Sequence, residues 1–181
     1  MSTPVDRDMT NLAASLTPGA AVDLGCGAGQ NSLWLARHGW RVFGIDLAPT
    51  AIRTATLAAG AEGLPADFAV ADLRSWKPDR AYDLVISTYA LPVRGPGRDH
   101  ALAAAVGAVG IGGTLLITEL DESLARQAAW RSDDLTSIDD IVPLVADWEV
   151  TRAEVAVRAH SHADHTAHYP IVMVVARRPA D

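Results

Sequence analysis

Of the fifteen basic residues in this 181-residue chain only one is a lysine, Lys77, and it stands between Trp76 and Pro78. No lysine closes a glycine-rich stretch, which excludes a Gly-x-x-x-x-Gly-Lys phosphate loop, and Lys77 is a poor anchor for pyridoxal phosphate. With a single cysteine, Cys26, an internal disulfide is impossible. No apolar run, including the one at 171–176, approaches the ~20 residues needed to cross a bilayer, and the first residues carry no basic stretch leading into an apolar one. A cytoplasmic chain with no membrane partner is predicted. Positive charge is scarce as well: fifteen Lys and Arg face twenty-two Asp and Glu, for a net charge of −7, and no basic block interrupts the acidic average. Nucleic acid is therefore a poor partner.

What the chain does contain is a composition 49% hydrophobic, enough for one core, arranged as short apolar runs alternating with helical patterns. That alternation predicts βαβ units and the α/β class. Strands are expected at 20–24, 41–45, 68–71, 82–87 and 114–118. Helices are expected from Asn31 to His38, from Pro49 with Ile52, Ala55 and Ala59 on one side, and across Leu102, Ala105, Val106 and Val109. Gly112 and Gly113 are read as the turn into the fifth strand. A further helix is expected to start near Asp140, because Pro143 fits only a first helical turn.

The last third departs from this pattern. Residues 152–158 alternate, with Ala153, Val155 and Val157 on one face and charged side chains on the other, which predicts a half-buried strand. Residues 171–176 are continuously apolar and are expected to be buried on both faces. Only about ten residues separate the two runs, too few for a parallel crossover, so they should pair antiparallel as a hairpin.

The most specific segment is Val22-Asp23-Leu24-Gly25-Cys26-Gly27-Ala28-Gly29-Gln30-Asn31-Ser32: a strand, a Gly-x-Gly-x-Gly turn, then a helix. Glycines there let the backbone approach a ligand and present amides at a helix N-terminus. Asp46 follows Gly25 by twenty-one residues and ends the next strand, where a carboxylate can accept from both hydroxyls of a ribose. Asp72 closes the third strand. All three strand ends fall at the carboxyl edge of one parallel sheet, where such folds bind ligands.

On these residues the chain resembles the class I S-adenosylmethionine-dependent methyltransferases. Asp23-Leu24-Gly25-Cys26-Gly27-Ala28-Gly29 is similar to their first motif, Gly44-Ile45-Asp46 to the second, Ala71-Asp72-Leu73 to the third and Tyr82-Asp83-Leu84-Val85-Ile86-Ser87-Thr88 to the fourth strand. Residues 29–40 and 174–179 further resemble the small bacterial tellurite-resistance and thiopurine S-methyltransferase-like group. The resemblance implies a Rossmann-like αβα sandwich with a seven-stranded, mostly parallel sheet whose seventh strand, antiparallel, is inserted beside the fifth. It also implies one methyltransferase domain over 1–181: an N-terminal helix or lid (1–19), a cofactor-binding βα core (20–119) and a C-terminal helix and β-hairpin (120–181). The implied cofactor is S-adenosylmethionine. It would be held by Asp23, Gly25, Cys26, Gly27, Gly29 and Asn31 around the first turn, by Asp46 and Leu47 at the ribose, by Ala71, Asp72 and Leu73 at the adenine, and by Ser87 and Thr88 at the reacting end. The acceptor would be a small molecule such as a thiol or a chalcogen oxyanion, and the chain a monomer or homodimer.

Cys26 is read as a packing residue rather than a nucleophile, since nothing nearby in sequence supplies a base. Tyr89, just past the fourth strand, is a candidate for contacting substrate. So are His162 and His165, within the cluster His160, His162, His165 and His168. The histidine spacing matches no structural-zinc pattern and no cysteine joins it, so no metal is expected. No catalytic side chain is assigned. Two other readings share the glycine turn: a nicotinamide-dependent oxidoreductase, although Gln30 breaks the Gly-x-Gly-x-x-Gly spacing, and a non-catalytic cofactor-binding or metal-sensing module.

Overall fold

The computed structural model of the chain describes residues 4–126, 130–162 and 165–180, and side chains outside 160–167. A seven-stranded sheet runs through it in the order β3-β2-β1-β4-β5-β7-β6. The strands are β1 (Ala20–Leu24), β2 (Arg41–Asp46), β3 (Ala66–Val70), β4 (Tyr82–Thr88), β5 (Val109–Leu120), β6 (Glu149–His162) and β7 (His165–Arg177). The first five pair in parallel, while β7 runs antiparallel to both β5 and β6. The expected hairpin therefore forms, and its second strand is the one inserted beside β5. Strand order reverses between β1 and β4, and that reversal opens a crevice at the carboxyl ends of the strands.

Local chemistry sets the helices. Helix α1 (Arg7–Ala14) is capped by Asp6, whose side chain accepts from the Met9 amide at 2.8 Å. Helix α2 (Gln30–Arg37) stops short of Gly39 at φ +90°, and α3 (Pro49–Glu62) opens on a proline and closes on Gly63 at φ +62°. Helix α4 (Pro96–Ala108) buries Ala101, Leu102, Ala105 and Ala108 against Val22, Val85, Leu115 and Val172 on one face of the sheet. On the other face Met9 and Ala13 of α1, with Leu35 and Ala36 of α2, pack on Leu84, Ile86, Leu116 and Met173. Among the described residues no helix is long and apolar enough to cross a membrane.

Four expectations need correction. Val109 starts β5 rather than extending α4, and Gly112 and Gly113 lie inside that strand. Both hairpin strands reach well beyond 152–158 and 171–176. No α-helix starts near Asp140: the chain makes short 3-10 turns at Ile138–Asp140 and Val142–Val145, the first closed by a reciprocal Ser137–Asp140 capping box and the second carrying Pro143 near its start. These turns place Ile141 and Val145 in the core, with Ile138 and Val142 packed against it.

The fourth correction follows from the third. Val155 lies opposite Val172, on the α4 face of the sheet, where no α-helix reaches the edge strand. The apolar face of β6 is consequently the open one, with Val155 and Val157 half or more exposed. The charged face instead turns toward α1, where Arg158 makes two hydrogen bonds to Asp8, at 2.8 and 2.9 Å. Residues 171–176 are fully buried, as expected. Replacing Val157 by Thr should accordingly shift the unfolding free energy by no more than about 0.5 kcal/mol. Leu116→Ala, at the sheet centre, should cost about 2–5 kcal/mol in urea denaturation.

Candidate cofactor and acceptor site

The glycine turn is built onto the end of β2. The amides of Gly25 and Cys26 both donate to the Ile45 carbonyl, at 2.8 and 2.9 Å. The Gly27 amide donates to Asp46 Oδ2 at 2.9 Å, and Ala48 donates to Oδ1 at 2.8 Å. Gly25, Gly27 and Gly29 all have positive φ, a conformation unfavourable for residues with a Cβ. Space decides which of them are also sterically constrained. A Cβ on Gly25 would collide with Ala90, one on Gly29 would press on Ala55 and Phe68, and one on Gly27 would meet nothing within 4 Å.

Beneath the turn Asp23 is buried and accepts a 2.6 Å hydrogen bond from the Ser32 hydroxyl, which ties β1 to α2. Burial pushes the Asp23 carboxyl up to about 6 despite that bond. Cys26 is buried too, with Sγ packed where Gly44 lacks a side chain, and burial together with the Asp23 and Asp46 charges raises its thiol far above its ordinary range. It is not a thiolate at neutral pH, in keeping with its reading as a packing residue.

The cleft itself, about 360 Å³, is lined on one side by Gly25, Asp46 and Leu47, on a second by Ala71, Asp72, Leu73 and Arg74, and on a third by Tyr89, Ala90, Pro92 and Val93. This volume is within the range of small-molecule sites. Each Asp46 oxygen takes one backbone amide and retains lone pairs, so the carboxylate can still accept at the cleft. Asp72 is differently occupied. Arg74 reaches both of its oxygens through Nε and a terminal nitrogen, at 2.7–3.0 Å, and holds the Asp72 carboxyl below its usual range. Nothing in the periodicity of the chain marks Arg74; its place two residues beyond Asp72, in the same turn, is the only signal.

Ser87 and Thr88 do not line the cleft. The Ser87 hydroxyl is buried within the sheet, and Thr88 accepts from Asn31 Nδ2 at 3.0 Å. Asn31 Oδ1 in turn accepts from the Asp6 amide at 2.9 Å, so this side chain fastens the segment before α1 to the end of β4. Tyr89 lines the cleft at φ +55°, the one positive φ among described non-glycine residues, a strain of the kind that collects at functional sites. Its phenol is raised well above its ordinary value by burial, then by the charges of Asp6 and Glu119. The backbones of His162 and His165 pair at the hairpin tip, while their side chains lie outside the described residues.

Two outcomes test this geometry. Gly25→Ala should lose far more stability than Gly27→Ala, which should cost about 1–2 kcal/mol from the left-handed backbone alone; thermal melts of both variants check the order. Because the folded Asp23 carboxyl titrates above its unfolded value, its favourable contribution is complete below about pH 3.8 and disappears as pH rises through about 6. Asp23→Asn should remove that loss, which is read as a smaller fall in melting temperature between pH 4 and pH 7 than in the unmodified protein.

Comparison with known proteins agrees with the geometry. A family model described as a methyltransferase domain matches residues 21–113. A trans-aconitate 2-methyltransferase from Streptomyces avermitilis is 34% identical over 142 residues, covering 69% of this chain and 52% of the relative. Among solved structures, TehB from Haemophilus influenzae superposes with a TM-score of 0.84 at 19% identity, over 98% of this chain and 63% of that one. A structure from work on the conversion of a disulfide bond into a thioacetal group during echinomycin biosynthesis superposes with a TM-score of 0.76 at 24% identity, over 98% and 83%. The chain spans about half or less of the length of curated relatives it matches. The match extends from β1 into β5, through the glycine turn, Asp46 and Asp72 alike, and the chain belongs to the methyltransferase-domain family.

Proposed function

We propose that the chain transfers a methyl group from S-adenosylmethionine to a small acceptor whose nucleophile is a thiolate or a chalcogen oxyanion. The observation that carries the cofactor reading is Asp46, at the cleft edge, bonded to the Gly27 amide and still able to accept. The volume of the cleft suits a small-molecule ligand, and Asp46 and Asp72 in its lining supply acceptors of the kind a ribose and an adenine use. When bound, S-adenosylmethionine supplies a methyl already activated by a positive sulfur; an acceptor lone pair takes it and S-adenosylhomocysteine leaves.

Asp46 would grip the ribose hydroxyls and Leu73 would flank the adenine. Asp72 would accept from the adenine amino group while remaining bonded to Arg74. The protein's contribution is then orientation and the exclusion of water, worth up to about 7–11 kcal/mol when alignment is good.

What lines the third wall supports the acceptor class. Among the described residues lining the cleft, none is a histidine and the two carboxylates stand on the cofactor side. Tyr89 keeps its proton, so it donates hydrogen bonds rather than accepting a proton. An acceptor that needs no deprotonation suits such a wall better than a hydroxyl or amine does. The structural likeness to TehB and to the protein from the disulfide-to-thioacetal work supports the same reading.

Calorimetry with S-adenosylhomocysteine and with NAD(H) tests the cofactor: binding of the first and not the second is expected, and the reverse would overturn the proposal. Asp46→Ala removes two charge-assisted hydrogen bonds and should weaken that binding by at least about 100-fold. A labelled-methyl assay over small thiols, selenite and tellurite, beside catechol and amine controls, should give product with the first group only.

A further inference from the structure

Two buried ions behind the third wall of the cleft have no part in the function proposed above. Glu119, at the end of β5, and Arg98, in the first turns of α4, are 6% and 2% exposed. We propose that Glu119 and Arg98 are positioning residues that clasp the backbone of residues 90–92 and so fix the acceptor-facing wall against the glycine turn. The inference rests on that functional reading for its consequence, though not for its geometry.

The clasp is visible atom by atom. Glu119 Oε1 accepts from the amides of Ala90 and Leu91 at 2.7 and 2.8 Å. One residue earlier the Tyr89 amide donates to the Thr118 carbonyl at 2.8 Å. One residue later the Pro92 carbonyl accepts from Arg98 Nε at 2.6 Å. The remaining Arg98 donors go to the carbonyls of Leu135 and Asp133 and to the Thr136 hydroxyl. Among the described residues no carboxylate is bonded to it, and three of its four partners are backbone carbonyls.

A carboxylate and a guanidinium taken out of water are costly, and apolar side chains would fill the same space at less cost. Glu119 and the Arg98 Nε meet instead on one loop, which carries the strained Tyr89 and the Ala90 methyl that blocks any side chain at Gly25, while the other Arg98 donors tie that loop to residues 133–136. The wall and the cofactor turn are thus in register through Ala90, and holding residues 90–92 holds Tyr89 in its left-handed conformation.

Among the described residues, the charged or titratable groups that act on Glu119 are Arg98 from α4 and Tyr89 from the loop itself. Burial outweighs them and raises the Glu119 carboxyl to about 7. Two properties then move in opposite directions as pH falls through that value. The neutral carboxyl is better tolerated in the core, so this group's contribution to overall stability rises. Its hold on the two amides weakens, because charge-assisted hydrogen bonds are the stronger kind. A role confined to stability would move both properties together.

Hydrogen exchange on the intact chain, corrected for intrinsic rates, reads the hold directly. Protection of the Ala90 and Leu91 amides should fall about five- to tenfold between pH 8 and pH 6, while β5 amides stay protected. In Glu119→Gln, which has the shape of the protonated carboxyl, that protection should be low at both values and the melting temperature at pH 8 no lower than in the unmodified protein. S-adenosylhomocysteine affinity should follow loop protection, weaker in the variant at pH 8 and equal at pH 6. Protection at residues 90 and 91 that is unchanged by the substitution, or that falls only in step with the whole sheet, overturns the clasp. Failure of the unmodified protein to bind S-adenosylhomocysteine overturns the proposed function instead, and the exchange result still decides the clasp.

Discussion

The site depends on the seam where the turn after β1 is hydrogen-bonded to the end of β2. Gly25, Cys26 and Gly27 donate in succession to Ile45 and Asp46, so the loop backbone and the carboxylate are set by one parallel register. A slip of one residue would turn Asp46 to the opposite face of the sheet and leave the Gly27 amide without its acceptor. The packing beneath enforces the register: Asp23 is bonded to Ser32, Gly29 leaves room for Ala55 and Phe68, and Gly44 leaves room for Cys26 and Phe68.

The walls are tied back to the same sheet by different means. On the wall of residues 71–74 the Asp72–Arg74 pair is exposed and local, and contributes little to stability for that reason. On the wall of residues 89–93 the ties are partly buried and most join distant stretches of chain, through Glu119, Arg98 and the Asn31 bridge from Asp6 to Thr88. The bonds of Arg158 to Asp8 add the hairpin to that assembly, joining the last sheet edge to the first helix. That wall of the cleft is therefore held by several separated stretches of chain.

Much of this was legible in sequence because it repeats locally. Apolar runs of strand length, Pro49 at a helix start, Gly39 after a helix end and an acidic residue twenty-one places after Gly25 are all short-range signals, and β1, α2, β2, α3 and β4 lie within a few residues of their expected bounds. The helix expected from near Asp140 does not form, because a pattern that fits a helix does not say whether tertiary contacts will sustain one; the chain makes 3-10 turns there instead, one with a capping box and one with a proline near its start. The outward Val155 is a consequence at a distance, since a strand's alternation tells which residues share a face and not which face is covered.

The amino-acid order by itself determined the α/β class, the strand polarity including the antiparallel hairpin, and the glycine turn with its carboxylate partner, because propensity, periodicity and connection length act over neighbouring residues. Tertiary structure alone decided that the Ser87 hydroxyl is buried within the sheet and that Glu119 and Arg98 both hold the loop after β4. Those outcomes depend on which side chains are excluded from water together, and burial is a property of the packed molecule.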